Sequence, residues 1–95
     1  MSDWLHTVIP LTKVIERVAA LFEIELHSLK RHRRTRPVVE ARDVICYFAV
    51  REVGHSGAEV ARGLNMTRSA VSIAAGHGEK LVWSNRSLRD RLEFI

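Results

Sequence analysis

Side chains that can hydrogen-bond to a nucleic acid follow one another at Thr67, Arg68 and Ser69. An arginine can donate two hydrogen bonds to the O6 and N7 atoms of guanine, and a serine hydroxyl can donate to bases or phosphates. Ser72 follows Ser69 at a helical step, and Ile73 could touch a thymine methyl group or be an ordinary surface apolar residue. We therefore predict base reading by Arg68, Ser69, Ser72 and Ile73.

A second group of chemically active residues is a basic cluster within residues 30–42. Six basic residues against one acidic residue give this stretch a charge of +5, so the remaining 82 residues carry −1 of the total +4. A local cluster of this kind is typical of a surface that binds a polyanion. The alternative is a solvated loop that only aids solubility. The basic residues are Lys30, Arg31, Arg33, Arg34, Arg36 and Arg42.

The sequence offers little for catalysis or metal binding. Its five histidines never recur at the three- or four-residue helical spacing that metal ligands use. No paired carboxylates, Gly-rich phosphate loop or nucleophile elbow is recognisable. The single Cys46 lies in an apolar run and is predicted to be a buried hydrophobe. We expect no enzyme activity from this chain, and no metal, cofactor or small-molecule substrate.

Location is predicted from three features. One unpaired cysteine suits a reducing cytoplasm. No apolar stretch approaches the roughly 20 residues that span a bilayer, and the first ten residues lack the pattern of an export signal. The expected setting is cytoplasmic, associated with the nucleoid and not with a membrane.

Apolar residues recur at helical steps along the chain and predict an all-α domain of about five or six helices. We expect an extension at residues 1–10 and a single domain at 11–95. Residues 11–22 form an amphipathic helix, and residues 24–29 add a helical turn with Leu26 and Leu29 inward. Pro37 disfavours helix at Arg36 and marks a loop.

Two further helices are predicted outside the region of the base readers. The first covers residues 39–53, is central, and ends at a C-cap glycine, Gly54. The second begins after Ser87, its predicted cap, and packs through Leu88, Leu92 and Ile95. Trp4 and Trp83 flank the core and are predicted to be packing residues.

The stretch "SGAEVARGLNMTRSAVS" (residues 56–72) predicts a helix-turn-helix. Two helices that cross steeply through a short turn need a small residue at their closest approach, which is Ala61. Asn65 tolerates the left-handed backbone of the turn. The apolar side chains of Met66 and Val71 are expected to pack inward and hold the turn and the second helix in place. The alternative is an ordinary helical hairpin.

Caps define where the two helices begin. Ser56 and Glu59 have the spacing of a reciprocal capping box, and Thr67 can cap a recognition helix that starts at Arg68 and runs to about Lys80. Val60 and Leu64 of the first helix face inward. The inward residues of the recognition helix are Val71, Ala74, Ala75 and Val82, and the outward ones are Ser69, Ser72, Ile73, Gly76, His77 and Lys80. Gly76 and Gly78 mark either close backbone approach or a kink.

The stretch from "VIERVAALF" through "RHRRTRPVVEARDVICYFAV" to "SGAEVARGLN" resembles the C-terminal DNA-binding domain of the bacterial replication initiator DnaA. The resemblance covers roughly residues 12–83. It implies a basic loop whose arginine enters the minor groove, at Arg34, and a phosphate-binding arginine that opens the next helix, at Arg42. Asp43 stands where the family has glutamine, and an anion there would repel phosphate.

The recognition helix departs from this family. The "GGRDHTTV" signature that reads the origin box is replaced by "LNMTRSAVS", which is similar to generic repressor-like and transposase-associated helix-turn-helices. The resemblance therefore implies DNA binding at a different sequence. Similar initiator-like domains occur in bacterial transposases associated with repetitive extragenic palindromes (REP), so a tethered catalytic domain or self-association is a further expectation.

The sequence thus predicts a module that binds double-stranded DNA sequence-specifically. The recognition helix enters the major groove, while the loop at residues 30–36 contacts the minor groove and phosphates. Backbone contacts are expected from Thr67, His77 and Lys80 besides the basic cluster. The alternatives are a helical protein-interaction module whose basic loop binds an acidic partner, and an RNA-binding domain, although Phe22, Tyr47 and Phe48 lie in apolar helical faces.

Overall fold

The computed structural model describes residues 9–30 and 35–92. Six α-helices and one π-helical turn account for most of these residues. The helices are α1 (Leu11–Leu21), α2 (Leu26–Lys30), α3 (Arg36–Tyr47), α4 (Gly57–Leu64), α5 (Arg68–Ser84) and α6 (Arg86–Leu92), with the π-helical turn Phe48–Val53 between α3 and α4. No strand occurs within these ranges. The all-α prediction is confirmed.

Helix α1 follows the predicted pattern closely. Pro10 has extended backbone and stands just before the first turn, where the missing N–H is not needed. Val14 and Val18 are fully buried, and Leu11 and Ile15 are nearly so, which gives the helix one apolar face against the core. The helix ends at Leu21, one residue before the predicted end.

Helix α2 corrects one predicted core residue. Leu29 is fully buried, whereas Leu26, predicted to face inward, is 44% exposed. A helix of five residues offers only a narrow strip to the core, and Leu29 occupies it. The Leu29 carbonyl also accepts a hydrogen bond from Arg42 Nη1 at 3.3 Å, which ties this turn to α3.

Helix α3 begins at Arg36, three residues before the predicted start, so the expectation that Pro37 disfavours helix at Arg36 and marks a loop is wrong. Thr35 has extended backbone and precedes the helix, and Pro37 sits in its first turn. The N–H groups of a first turn have no intrahelical partner, so a proline costs no hydrogen bond there. Within the predicted loop at residues 30–36, Thr35 is therefore the only described residue outside a helix.

The predicted helix over residues 39–53 changes its winding at Phe48. From Phe48 to Val53 the backbone is π-helical and ends at Gly54, whose φ of 99° is left-handed as a C-cap glycine requires. The Ala49 carbonyl accepts from both Gly54 N–H at 2.9 Å and His55 N–H at 2.8 Å. Val44, Ile45 and Val53 are fully buried, which agrees with the predicted central position of this helix.

Helices α3 and α5 pack against each other at the centre of the fold, and Gly78 is the reason they can come so close. A Cβ on Gly78 would collide with the Asp43 carbonyl and lie 2.8 Å from Tyr47 Cβ. A Cβ on Gly76 would meet nothing within 4 Å. Of the two explanations for these glycines, close backbone approach therefore holds for Gly78.

The last described helix, α6, is capped two residues earlier than predicted. The Asn85 side chain accepts a hydrogen bond from the Leu88 N–H at 3.0 Å, so Asn85 is the cap and Ser87 lies inside the helix. Asn85 has the extended backbone that an N-cap residue adopts. Leu88 is buried as predicted. The side chains of Leu92 and Ile95 lie outside the described residues, as does Trp4.

Candidate nucleic-acid interface

Helices α4 and α5 form the predicted helix-turn-helix. Asn65 ends α4 with φ 57° and ψ 49°, the left-handed conformation that an asparagine accepts more readily than most residues. The Met66 N–H then donates to the Ala61 carbonyl at 2.8 Å and closes the turn. Ala61 and Val71 are buried, and Met66 packs against the core. The four residues singled out by their steric roles are therefore confirmed.

The cap of α4 is only half of the predicted capping box. The Ser56 side chain accepts from the Glu59 N–H at 3.1 Å, as predicted. The Glu59 carboxylate does not complete the reciprocal bond but lies 3.1 Å from His55 Nδ1, and His55 Nε2 lies 3.0 Å from the Ile9 carbonyl. His55, a nearly buried side chain that the sequence did not single out, thus joins α4 to the chain before α1.

The recognition helix α5 presents two distinct faces. Val71, Ala74, Ala75 and Val82 are buried and form the inward face, as predicted. Exposed residues follow one another on the other side and are Arg68, Ser69, Ser72, Ile73, His77 and Lys80. Because Gly76 and the two serines are small, the middle of this face is narrow. An α-helix that enters a major groove about 12 Å wide needs a narrow face.

The N-terminus of α5 is open to solvent and capped as predicted. The Thr67 side chain accepts from the Ala70 N–H at 3.1 Å, and Thr67, Arg68 and Ser69 are exposed. The free N–H groups of a first helical turn carry partial positive charge, which favours an anion such as a phosphate. The Arg68 guanidinium stands at the same end of the helix.

An open depression beside α5 brings four of the predicted site residues together. Arg42 of α3, Thr67 of the turn, and Ile73 and His77 of α5 all line it. The remaining lining residues are Asp43, Asn65, Met66, Ala70 and Ala74. Arg42, which lies far from Thr67 in sequence, thus shares one concave surface with the start of the recognition helix, and its bond to the Leu29 carbonyl holds its guanidinium in place.

Asp43 is the anion of this depression. Burial raises the pKa of its carboxyl, while the nearby charges of His77 and Arg42 lower the pKa and Glu40 raises it. His77 Nδ1 lies 3.9 Å from Asp43 Oδ2, a distance suited to an ion pair but too long for a hydrogen bond. The carboxylate therefore offsets part of the positive charge of Arg42 in this depression.

Arg36 lies apart from Arg42 and the start of α5. Its guanidinium forms an ion pair with Glu40 at 3.3 Å and lines a different depression, together with Phe22, Leu81 and Arg91 among others. Arg31, Arg33, Arg34 and the Lys30 side chain fall outside the described residues, so their predicted contacts stay predictions.

Two residues that the sequence did not assign to a site also lie near the recognition helix. Arg62, exposed in the last turn of α4, lines a shallow depression with Arg68. The only sequence feature that could have indicated a role for Arg62 is its position directly after Ala61. Trp83, predicted to be a packing residue, is 60% exposed at the far end of α5. The Arg89 guanidinium carbon lies 4.9 Å from its ring centroid.

Features of other protein classes do not appear in the described ranges. None of the helices there is both long and apolar enough to cross a bilayer. No group of three His, Cys, Asp or Glu side chains within residues 9–30 and 35–92 could hold a metal ion. Cys46 is fully buried, as predicted.

Comparison with known proteins agrees with the geometry. A family model described as the bacterial DnaA protein helix-turn-helix matches residues 11–76, from the start of α1 to the middle of α5. Neither a curated protein nor a solved structure gave a match. The family match covers more than two thirds of the chain and includes α4, the turn and the first half of α5. This chain therefore belongs to the family of bacterial DnaA helix-turn-helix domains, which bind DNA.

Proposed function

We propose that this domain binds double-stranded DNA at a specific sequence, with the outward face of α5 in the major groove. Arg68 reads a guanine, Ser69 and Ser72 donate to base edges or phosphates, and Ile73 contacts a thymine methyl group. These contacts fit the narrow, exposed face that the four residues share with Gly76. It leaves room for the helix backbone to approach the bases.

The DNA backbone is held by a second set of groups. Arg42, Thr67 and His77 line the depression beside α5, where a phosphate at the helix N-terminus would meet both the Arg42 guanidinium and the free N–H groups. Lys80 continues the exposed face and contacts the same strand further along. Arg34 of the basic cluster contacts the neighbouring minor groove, as the family resemblance implies.

The single observation that carries this proposal is that Arg42 and the start of α5 share one surface. Contacts to bases alone give weak binding, and contacts to the DNA backbone alone give binding without sequence specificity. Here the two belong to different helices, α3 and α5, that the Gly78 contact holds in a fixed relation.

The direct test is selection of bound sequences from a pool of random duplexes, followed by competition with a scrambled duplex and with heparin. We expect one sequence motif to emerge and to resist both competitors at moderate salt. Equal competition by heparin would favour the alternative of a module whose basic loop binds an acidic partner. Stronger competition by a structured RNA would favour RNA binding.

The biological setting follows from the same proposal. A module with one recognition helix gains affinity from a second copy or from a tethered domain. We infer that this domain acts in the bacterial nucleoid as the DNA-binding part of a transposase or of a replication-related protein. The altered recognition stretch "LNMTRSAVS" supports a site that differs from the initiator's origin box.

A further inference from the structure

The exposed indole of Trp83 lies on the same stripe of α5 as the proposed base readers. Successive helical residues are about 100° apart, so Ser72, Gly76 and Trp83 fall within a narrow arc of the helix surface. Trp83 follows Ser72 by eleven residues, which is about 16 Å along the helix axis. The indole therefore stands on the DNA-facing side, at the edge of the bound site and not at its centre.

The indole is positioned without being buried. Arg89 of α6 places its guanidinium over one face of the ring, with 4.9 Å between its carbon and the ring centroid. Burial is the main cause that raises the pKa of Tyr47, with a further contribution from Glu52, while the neighbouring Trp83 side chain acts to lower it. The ring thus neighbours Arg89 of α6 and Tyr47 of α3, while 60% of the residue stays exposed.

Two acidic residues in this region, Glu79 and Glu52, have partners within the domain. Glu79 is paired with Arg51, and Glu52 accepts a hydrogen bond from the Tyr47 hydroxyl at 2.8 Å. Helix α6 contributes three arginines and one acidic residue, Asp90. The three arginines outnumber Asp90, so the net charge of α6 is positive.

We propose that Trp83, backed by Arg89, stacks on an unpaired base that flanks the duplex bound by α5. This inference rests on the proposed duplex binding. A duplex keeps its bases stacked on one another, so an exposed indole finds a base to stack on only where the strands separate or one strand ends. Stacking on an aromatic side chain beside cationic groups does not depend on base identity. The domain therefore prefers a junction of duplex and single strand over a blunt duplex.

The test compares two kinds of DNA probe that share the duplex sequence selected from random pools. The first kind is blunt, and the second kind carries a short oligothymidine extension, which is placed at one end of the duplex in one probe and at the other end in another. We expect the extension at one end to tighten binding about fivefold or more, a gain in the range of one stacked base. Trp83→Ala should abolish the gain without weakening the blunt duplex, and Trp83→Phe should keep part of it. Leu26→Ala, which removes an exposed apolar side chain from α2, is the matched control and should change neither value.

Fluorescence supplies a second readout. In a Trp4→Phe background Trp83 is the only tryptophan of the chain, so the extended probe should quench its emission more than the blunt probe. Tight duplex binding with no effect of either extension would overturn this inference and leave the proposed function standing. A gain that survives Trp83→Ala would overturn it as well. Absence of any duplex binding would contradict the proposed function itself, and a loss of self-association in Trp83→Ala would identify the indole as a protein contact instead.

Discussion

At Gly78, helix α5 lies against the main-chain carbonyl of Asp43 in α3, so closely that no side chain fits between the two helices. This contact fixes the distance between the helix that carries Arg42 and the helix that carries Arg68. The position of Arg42, proposed to bind the DNA backbone, relative to Arg68, proposed to read a base, therefore depends on the absence of a side chain at Gly78.

Substitution of this glycine should be costly. Gly78→Ala places a methyl group against backbone that cannot move aside independently, and we expect a loss of at least about 2 kcal/mol in the free energy of unfolding. Gly76→Ala is the matched control, because its added Cβ meets nothing and alanine favours a helix interior by about 1 kcal/mol. Urea denaturation of the two variants should shift in opposite directions. Equal effects would mean that α3 and α5 are not in contact at Gly78.

Asp43 should weaken DNA binding at neutral pH. Its carboxylate stands in the depression with Arg42 and His77, where it repels a phosphate. Asp43→Asn removes this charge and keeps the size of the side chain, so we expect it to tighten duplex binding severalfold in a fluorescence anisotropy titration. Glu40→Gln, which removes an acidic charge one turn earlier on α3, should have a smaller effect.

The same carboxyl should make stability depend on pH in the acid range. Burial raises the pKa of Asp43 above its usual 3.8, so the folded domain holds this proton more tightly than the unfolded chain. The resulting contribution to stability is present below pH 3.8 and is lost as the pH rises through the folded-state pKa. Asp43→Asn should remove this component from a plot of unfolding free energy against pH. An unchanged plot would show that Asp43 is not desolvated.

Arg42 should act on affinity and not on sequence preference. A single phosphate contact accounts for about one unit in the slope of log K against log salt, and Arg42→Ala should reduce the slope by about that amount. Arg34→Ala should do likewise if the basic loop reaches the minor groove. Arg17→Ala, an exposed arginine on α1 that does not line the depression, should leave the slope unchanged.

Cys46 should not react with thiol reagents in the native domain. Burial is the main cause that raises the pKa of its thiol to about 12, with a further contribution from Asp43. The thiolate is the reactive form, so labelling by a water-soluble disulfide reagent should follow the unfolding of the chain. Rapid labelling without denaturant would contradict the packing of α3.

Local rules were enough to predict the helix-turn-helix. Asn65, Met66 and Thr67 each have a steric or hydrogen-bonding role that depends on near neighbours in sequence, and all three roles were predicted. The start of α3 was missed, because a proline near a boundary fits either a loop or a first helical turn. Trp83 was misplaced because its exposure depends on where Tyr47 and Arg89 lie in space. The position of Arg42 and Thr67 in one depression likewise depends on tertiary packing, and the sequence indicated a role for Arg42 only through the basic cluster and the family resemblance.

The central claim is that α5 reads bases through Arg68. The most direct measurement is selection from random duplexes with the native domain and with Arg68→Ala, followed by titration of the native motif and its single-base variants. We predict that the variant loses about 1–3 kcal/mol of binding free energy and accepts any base at one position, while the other positions keep their preference. An unchanged motif bound with unchanged affinity would contradict the assignment of α5 as the recognition helix.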